Sequence, residues 1–221
     1  MEFFKLVRLL SVIVCYCLFC YHIFRKNYYH QKVSRQMLSV FDERWKEYDE
    51  WYDRHRDIFL KELELIERNL PDGYCLEVGV GTGRFASCLG CIGIDISLNM
   101  LKLAKKRGVD VVLADALNLP FRQVFDIVLL AFTLCFLEKP VEALMEASKV
   151  LRNNGRILIC IVRGKLIEDY RKKNSPFYRA AKFYSVEDVS RMLERTGFFV
   201  EKIDFTDLKY GRDVALIVGR K

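Results

Sequence analysis

Hydrophobic positions recur along the chain with two different spacings, and the spacing predicts which elements form. In residues 41–70, apolar side chains return every three or four positions between charged ones, which is typical of a pair of amphipathic helices ending before Pro71. Beyond Pro71, short and nearly continuous apolar runs indicate strands that are buried on both faces. Five such strands are predicted, over residues 74–79, 91–96, 109–114, 125–131 and 156–162.

The segments between these strands have the end signals of helices. Ser97 precedes a predicted helix over residues 98–107, Pro140 opens a second one, and Ser185 with Asp188 has the spacing of a capping box. Strands that alternate with helices indicate an α/β fold with a parallel sheet and right-handed crossovers. After the last helix, no further helix separates the apolar runs 198–205 and 213–218, so we expect these two strands to pair like a hairpin.

The N-terminal segment has a different composition from the remainder. Residues 3–24 are strongly apolar, and their longest uncharged run, 9–24, would span about 24 Å as a helix, short of the ~30 Å of a bilayer core. A small-x-small cleavage site for a signal peptide is absent. We therefore expect residues 1–36 to be an extension of a domain over residues 37–221. Either residues 3–24 anchor the chain to a membrane, with the domain in the cytoplasm by the positive-inside rule, or the natural chain begins at Met37.

The net charge of the chain at first suggests a nucleic-acid partner. Residues 1–36, however, contain six Lys or Arg and one Glu, and so supply +5 of the net charge of +7. The domain that follows is close to neutral, which predicts no basic face for a phosphate backbone. Nucleic acid is therefore a disfavoured partner.

The eight cysteines do not have the spacing of a disulfide framework. Cys88 and Cys91 form a C-x-x-C pair, but a structural zinc needs about four ligands, and no second pair or nearby histidine completes the set. We expect the cysteines of the domain to be small buried hydrophobic residues and the protein to bind no metal.

A glycine-rich loop follows the first predicted strand, in the segment LEVGVGTGRFA. Glu77 ends the strand, and Gly79, Gly81 and Gly83 allow the backbone to turn sharply and to approach a ligand closely at the start of a helix. The dinucleotide fingerprint would place Gly or Ala at the position of Arg84. The loop therefore predicts a ligand site and disfavours NAD.

This loop resembles motif I of the class I S-adenosylmethionine-dependent methyltransferases, in particular the methyltransferase type 11 family, and the resemblance extends over most of residues 41–219. In that family the loop cradles the methionine half of S-adenosylmethionine. Asp95, in GIDISLNML, stands where the family has an acidic residue that binds both ribose hydroxyls, as a carboxylate is able to do. ADALNLPF resembles the next motif, in which Asp115 and Ala116 would meet the adenine. LRNNGRILI resembles the turn into the fifth strand.

The resemblance implies a fold and a set of cofactor residues. The expected fold is a Rossmann-like three-layer α/β sandwich with N-terminal helices and a mostly parallel seven-stranded sheet that ends in an antiparallel strand. The expected cofactor is S-adenosylmethionine. Its predicted binding residues are Glu77, Gly79, Gly81, Gly83, Asp95, Ile96, Met100, Asp115 and Ala116.

Several of these residue assignments have structural alternatives. Asp95 also stands where it would cap the helix after Ser97, and Asp115 fits an ordinary loop carboxylate. The aromatic residues Tyr48, Trp51 and Tyr52 have helical spacing, which is more typical of a core than of contact with a cofactor or substrate. Residues 164–184, rich in aromatic and basic side chains, fit either a lid over the site or packing against the sheet edge.

The implied activity is methyl transfer by in-line displacement, which positioning alone accelerates strongly, so we nominate no catalytic residue. The fourth strand runs into Ala-Phe-Thr-Leu without the N/D-P-P-Y/F signature of amino-methylating enzymes, and Cys135 lacks the preceding proline of cytosine methylases. These departures disfavour DNA bases. A small molecule is the favoured acceptor and a protein side chain is the second choice. The alternative is a catalytically silent subunit that binds S-adenosylmethionine.

Overall fold

The computed structural model describes residues 40–163, 175–179, 181–206 and 213–221. The predicted extension 1–36 and its boundary at Met37 lie outside these ranges. No helix within them is long and apolar enough to cross a membrane. The elements, in chain order, are helices α1 (Trp45–Arg54) and α2 (Arg56–Glu67), strand β1 (Cys75–Val78), α3 (Arg84–Leu89), β2 (Ile92–Asp95), α4 (Leu98–Lys106), β3 (Val111–Leu113), β4 (Phe125–Ala131), a 3-10 helix (Leu134–Phe136), α5 (Pro140–Val150), β5 (Leu151–Arg163), α6 (Pro176–Arg179), α7 (Val186–Arg195), β6 (Phe199–Thr206) and β7 (Asp213–Arg220).

The strands form a seven-stranded sheet in the order β3-β2-β1-β4-β5-β7-β6. The pairs from β3 through β5 are parallel, whereas β7 runs antiparallel to both of its neighbours, β5 and β6. The predicted α/β sheet, its five apolar strands and the pairing of the last two strands are confirmed. The chain ends in the antiparallel strand, as predicted, and this strand lies between β5 and β6.

Helices cover both faces of the sheet, which makes the molecule a three-layer sandwich. In β4, Ile127 and Leu129 point to the core shared with α2, α3 and α4, while Val128 and Leu130 point to the core shared with α5 and α7. All four side chains are at most 1% exposed. Because both faces are covered, a central strand needs apolar residues at every position, and this explains the continuous apolar runs in the sequence.

The predicted helix caps are present. The Ser97 hydroxyl accepts a hydrogen bond from the Met100 amide at 3.2 Å, Pro140 is the first residue of α5, and Ser185 with Asp188 forms a reciprocal capping box at the start of α7. The turn around Asn154 was predicted to precede the fifth strand, but it lies within that strand. Strand β5 begins at Leu151 directly after α5, and the turn is an irregularity within it, because the register against β4 passes from Leu151 to Arg156.

The cysteines depart from the expectation in two ways. Cys75 and Cys91 are buried, as predicted, but form a disulfide, and Cys88 is exposed. The two paired residues precede Leu76 and Ile92, which are partners on the adjacent strands β1 and β2. Their Cα atoms lie 4.6 Å apart, within the range that a disulfide spans. The register of β1 against β2 cannot be read from the spacing of the cysteines along the chain, so the pair could not be predicted. Over the described ranges, no cluster of three or more potential metal ligands occurs.

Candidate functional site

A cavity of about 510 Å³ opens at the carboxyl ends of the first four strands. This edge is where open α/β sheets bind ligands, and the volume lies within the usual range for cofactor sites. One wall is formed by the ends of the strands and the loops that follow them. That wall consists of Gly79, Gly81, Ile94, Asp95, Ile96, Met100, Ala114, Asp115, Ala116, Leu117 and Ala131.

Seven of the nine cofactor residues predicted from the sequence line this wall, although they come from three separate segments of the chain. They are Gly79, Gly81, Asp95, Ile96, Met100, Asp115 and Ala116. The other two, Glu77 and Gly83, are buried behind the wall and do not line the cavity. The structure therefore brings most of the predicted set together and places two members beneath the loop.

The three glycines of the loop have positive φ angles but different surroundings. A Cβ atom on Gly79 would overlap the Thr133 side chain, and one on Gly83 would lie 2.7 Å from Ala104 Cβ, so both positions need glycine for packing. At Gly81, with φ of +53°, a Cβ would meet the Tyr48 ring alone, at 3.9 Å. The Gly81 backbone is therefore bare toward the cavity, and this is the point where a ligand can approach it closely.

Asp95 connects the end of β2 to the glycine loop. Its Oδ2 accepts a hydrogen bond from the Gly81 amide at 2.9 Å, and its Oδ1 accepts one from the Ser97 amide at 2.8 Å. Burial raises the pKa of Asp95, and the amide donors of Ser97 and Gly81 oppose that rise. Oδ1 therefore holds Ser97, the residue before α4, in a local turn, whereas the cap of α4 itself is the Ser97 hydroxyl. Because each carboxylate oxygen has two lone pairs, both oxygens retain capacity to accept from a ligand.

Asp115 shapes the loop after β3. Its Oδ1 accepts a hydrogen bond from the Leu117 amide at 2.9 Å, and its backbone bridges to Asn118. This is the loop-carboxylate role that the sequence left open. The turn it forms places Asp115 and Ala116 on the cavity wall.

Glu77 is a buried carboxyl group beneath the glycine loop. It is 2% exposed, and its Oε2 atom has no hydrogen-bond partner in the described structure. Burial raises the pKa of Glu77 to about 8, the Ala86 amide opposes the rise, and the charge of Asp95 adds to it. Glu77 is therefore a neutral acid at pH 7, with a proton to donate.

Two carboxylates that sequence analysis did not single out attach residues 40–54 to the site. Asp42 accepts hydrogen bonds from the Ser97 hydroxyl at 2.6 Å and from the Asn99 amide at 3.1 Å, at the start of α4. Its backbone carbonyl accepts one from the Asn99 side chain. These contacts hold residues 40–44 over the cavity.

The second of these carboxylates, Asp49, ties α1 to the glycine loop. It pairs with Arg84 at 2.9 Å and with Arg107 at 2.7 Å, and Arg107 also donates to the Thr82 carbonyl. These ion pairs lower the pKa of Asp49, although burial alone would raise it. Arg84 is the residue at which the loop sequence departs from the dinucleotide fingerprint. Its ion pair with Asp49 gives it a structural role. Contacts across 35 and 58 positions leave no local pattern by which a sequence could reveal them.

The opposite wall of the cavity is aromatic. Phe41 packs against Phe136 with ring centroids 4.9 Å apart, against Phe177 at 5.3 Å and against Tyr48 at 5.7 Å. Of these, Phe41, Tyr48 and Phe136 line the cavity. We call Phe41, Tyr48, Phe136 and Phe177 the aromatic wall.

Two earlier expectations bear on this wall. Among the aromatic residues of α1, Tyr48 reaches the cavity, whereas Tyr52 is buried in the core and Trp51 stacks on His55 at 4.3 Å. In the segment 164–184, residues 164–174 and 180 lie outside the described ranges. The described part of that segment does contribute to the cavity lining, through Pro176, Arg179 and Lys182.

Comparison with known proteins agrees with this geometry. The family profile described as a methyltransferase domain matches residues 76–159. A crystal structure from Thermotoga maritima, described as a SAM-dependent methyltransferase and possible histamine N-methyltransferase, is 33% identical. The alignment covers 82% of this chain and 98% of that one, with a TM-score of 0.76. The chain belongs to the S-adenosylmethionine-dependent methyltransferases. The methyl donor of this methyltransferase is therefore S-adenosylmethionine.

Two further relatives show how far the likeness extends. An uncharacterised protein of Methanocaldococcus jannaschii is 38% identical over 192 residues, which are 79% of this methyltransferase and 93% of the relative. Magnesium protoporphyrin IX methyltransferase of Synechocystis, solved with bound SAH, is 15% identical. That alignment covers 84% of this methyltransferase and 99% of the other chain, with a TM-score of 0.67, and shows a shared fold.

Proposed function

We propose that this methyltransferase binds S-adenosylmethionine along the strand-end wall of the cavity and methylates a small molecule held against the aromatic wall. The observation that carries the proposal is that both walls enclose a single cavity. A donor seated on one wall and an acceptor seated on the other would share a space with room for little else.

The residues of the strand-end wall fit the chemistry of the donor. The bare backbone at Gly81 admits the methionine half, and Asp95 offers lone pairs to the two ribose hydroxyls. Asp115 and Ala116 are assigned to the adenine, with Ile96 and Met100 as apolar contacts. For Glu77 and Gly83 the proposed role is support: they hold the loop from behind, where Gly83 packs on Ala104 and Glu77 accepts from the Ala86 amide.

The aromatic wall favours a small acceptor. Phe41, Tyr48 and Phe136 present flat apolar surface inside the cavity, as sites for small organic ligands commonly do. The descriptions of two structural neighbours mention small molecules: the Thermotoga protein is a possible histamine N-methyltransferase, and the Synechocystis enzyme is a magnesium protoporphyrin IX methyltransferase. The near-neutral domain charge continues to disfavour nucleic acid.

The contribution of the protein to the reaction is to position the donor and the acceptor relative to each other. Bound S-adenosylmethionine supplies a methyl group attached to a sulfonium, which is a good leaving group. The loop and Asp95 fix the direction in which that methyl group faces, and the aromatic wall orients the acceptor and excludes water. Such positioning contributes about 7 to 11 kcal/mol to a displacement of this kind.

Calorimetry with S-adenosylhomocysteine tests the placement of the donor. We expect one molecule to bind the full-length protein, no binding of NAD, and a roughly 10- to 150-fold loss of affinity in Asp95→Asn, because hydrogen bonds to a charged group contribute about 1.5 to 3 kcal/mol. Asp72→Asn, an exposed carboxylate in the turn before β1, is the matched control. Unchanged affinity in a folded Asp95→Asn protein would refute the placement.

The silent-subunit alternative predicts the same binding without turnover. Methyl transfer to any acceptor excludes it.

A further inference from the structure

We infer that the acceptor is an anion, an aromatic acid whose ring packs on the aromatic wall and whose negative group lies between Arg179 and Lys182. This inference rests on the proposed function and narrows the class of small molecule. It concerns the part of the site that contains the aromatic wall, Arg179 and Lys182, where the sequence supplied no motif.

The backbone that carries the two cations is connected to the aromatic wall at two points. Arg179 ends α6, the short helix that places Phe177 in the aromatic wall, within 5.3 Å of Phe41 and 5.9 Å of Tyr48. The Lys182 amide donates to the Cys135 carbonyl at 2.7 Å, which ties the following residues to the 3-10 helix that carries Phe136. The aromatic wall and the two cations therefore belong to one assembly.

Arg179 differs from most arginines in the described ranges, because most of them pair with a carboxylate. Arg84, Arg107 and Arg163, for example, each have a carboxylate within 3 Å. Across the described residues, no carboxylate forms an ion pair with Arg179 or Lys182, which are exposed to solvent and line the cavity. Cations at the mouth of an apolar cavity attract an anionic ligand and repel a cationic one.

Two of the three acidic residues in the described lining lie on the strand-end wall, away from the aromatic side chains of α1 and α6. They are Asp95 and Asp115, at the ends of β2 and β3. Glu138 is the remaining acidic residue of the lining and is exposed. Outside the strand-end wall, the charged residues of the described lining are therefore two cations and one carboxylate, a net charge of +1. An amine such as histamine, named for the Thermotoga protein, is therefore disfavoured here.

The test measures ligand binding to the full-length protein saturated with S-adenosylhomocysteine, so that turnover plays no part. The probes are aromatic acids in matched sets, beginning with 3-(4-hydroxyphenyl)propionate, its neutral amide and the amine tyramine, with histamine added. We expect the acids to bind at least about fivefold more tightly than the amides, the amines to bind weakest, and the preference to shrink as salt is raised.

Substitutions test whether Arg179 and Lys182 cause the preference for acids over amides and amines. The double variant Arg179→Gln with Lys182→Gln should lose the preference for acids and keep its affinity for S-adenosylhomocysteine. Glu138→Gln should strengthen the binding of acids. The matched control is Lys61→Gln with Arg195→Gln, two exposed cations outside the cavity, and it should behave like the wild type.

The outcomes distinguish a failure of the proposed function from a failure of the inference that the acceptor is an anion. If the wild type does not bind S-adenosylhomocysteine, the proposed function itself fails. If it does bind, three results would each overturn the inference alone: amines that bind more tightly than acids, no acid that binds at millimolar concentration, or a preference that survives the double substitution.

Discussion

At the scale of single residues, the three loop glycines illustrate how one residue type serves two purposes. Gly79 and Gly83 face protein atoms at distances that no side chain would tolerate, whereas Gly81 faces the cavity. The sequence showed three equivalent glycines in a motif. The difference between them depends on Thr133 and Ala104, which lie far along the chain, and so it appears in three dimensions alone.

A substitution at Gly81 separates ligand contact from packing. Gly81→Ala and Gly90→Ala both place a side chain on a backbone with positive φ, which costs about 1 to 2 kcal/mol of stability in each. Gly90 has no atom within 4 Å of its added Cβ and is not part of the cavity lining. We expect Gly81→Ala alone to weaken S-adenosylhomocysteine binding, by about 5- to 150-fold from steric conflict. Equal affinity of the two variants in calorimetry would contradict a close approach at Gly81.

Glu77 gives the protein a pH dependence of its own. Because the pKa of Glu77 is about 8 in the folded protein and its ordinary value is 4.5, the folded state keeps a proton that the unfolded state has released at intermediate pH. The free energy of unfolding should therefore fall between about pH 4.5 and pH 8, by at most about 1.4 kcal/mol per pH unit, and then level off.

Urea denaturation without cofactor across that pH range tests this expectation. Glu77→Gln keeps the shape of the side chain without the charge, so this decline should disappear and the variant should exceed the wild type in stability above pH 8. The exposed Glu64→Gln on α2 should follow the wild-type curve. A Glu77→Gln protein that retains the wild-type slope would show that Glu77 is ionised in the folded state.

At the scale of elements, the predictions succeeded where the signal was local. Strand positions, the caps at Ser97 and Ser185 and the helix pair that ends before Pro71 all follow from residues within a few positions of one another. The failures concerned contacts between elements. The Cys75–Cys91 disulfide depends on the register of β1 against β2, and the ion pairs of Asp49 depend on where α1 lies on the loop.

The capping box of α7 offers a test at this scale. In Ser185→Ala the Asp188 amide loses its acceptor, so the free energy of unfolding should fall by about 1 kcal/mol. Ser190→Ala, in the interior of the same helix, removes the same hydroxyl group without a cap and is the matched control. Helix α7 packs on β6 and β7. Equal effects of the two substitutions in urea denaturation would mean that the cap does not stabilise α7.

At the scale of the whole molecule, the location of the cavity could be predicted because the strand order of the sheet brings the ends of β1, β2 and β3 together. Most of the strand-end wall was therefore identified from motifs at strand ends. The aromatic wall was not, because Phe41, Phe136 and Phe177 come from distant segments without a shared pattern. The aromatic wall could consequently be identified from the structure alone.

The domain boundary at Met37 remains a prediction, and truncation tests it. Since Phe41 lines the cavity and Asp42 binds the start of α4, residues 37–221 should fold and bind S-adenosylhomocysteine with the affinity of the full chain. A chain of residues 45–221 lacks both contacts and should bind more weakly. An insoluble 37–221 protein, or one without affinity, would show that residues 1–36 belong to the fold.

The central claim is that this methyltransferase transfers a methyl group to a small molecule within the cavity, and the most direct test follows the methyl group itself. The full-length protein is incubated with S-adenosylmethionine labelled in its methyl group and a cell extract separated into small-molecule, protein and RNA fractions. We predict label in the small-molecule fraction with the wild type and with Gly90→Ala, and a strong reduction with Gly81→Ala. Label that appears in protein or RNA instead, or no transfer to any fraction, would contradict the account.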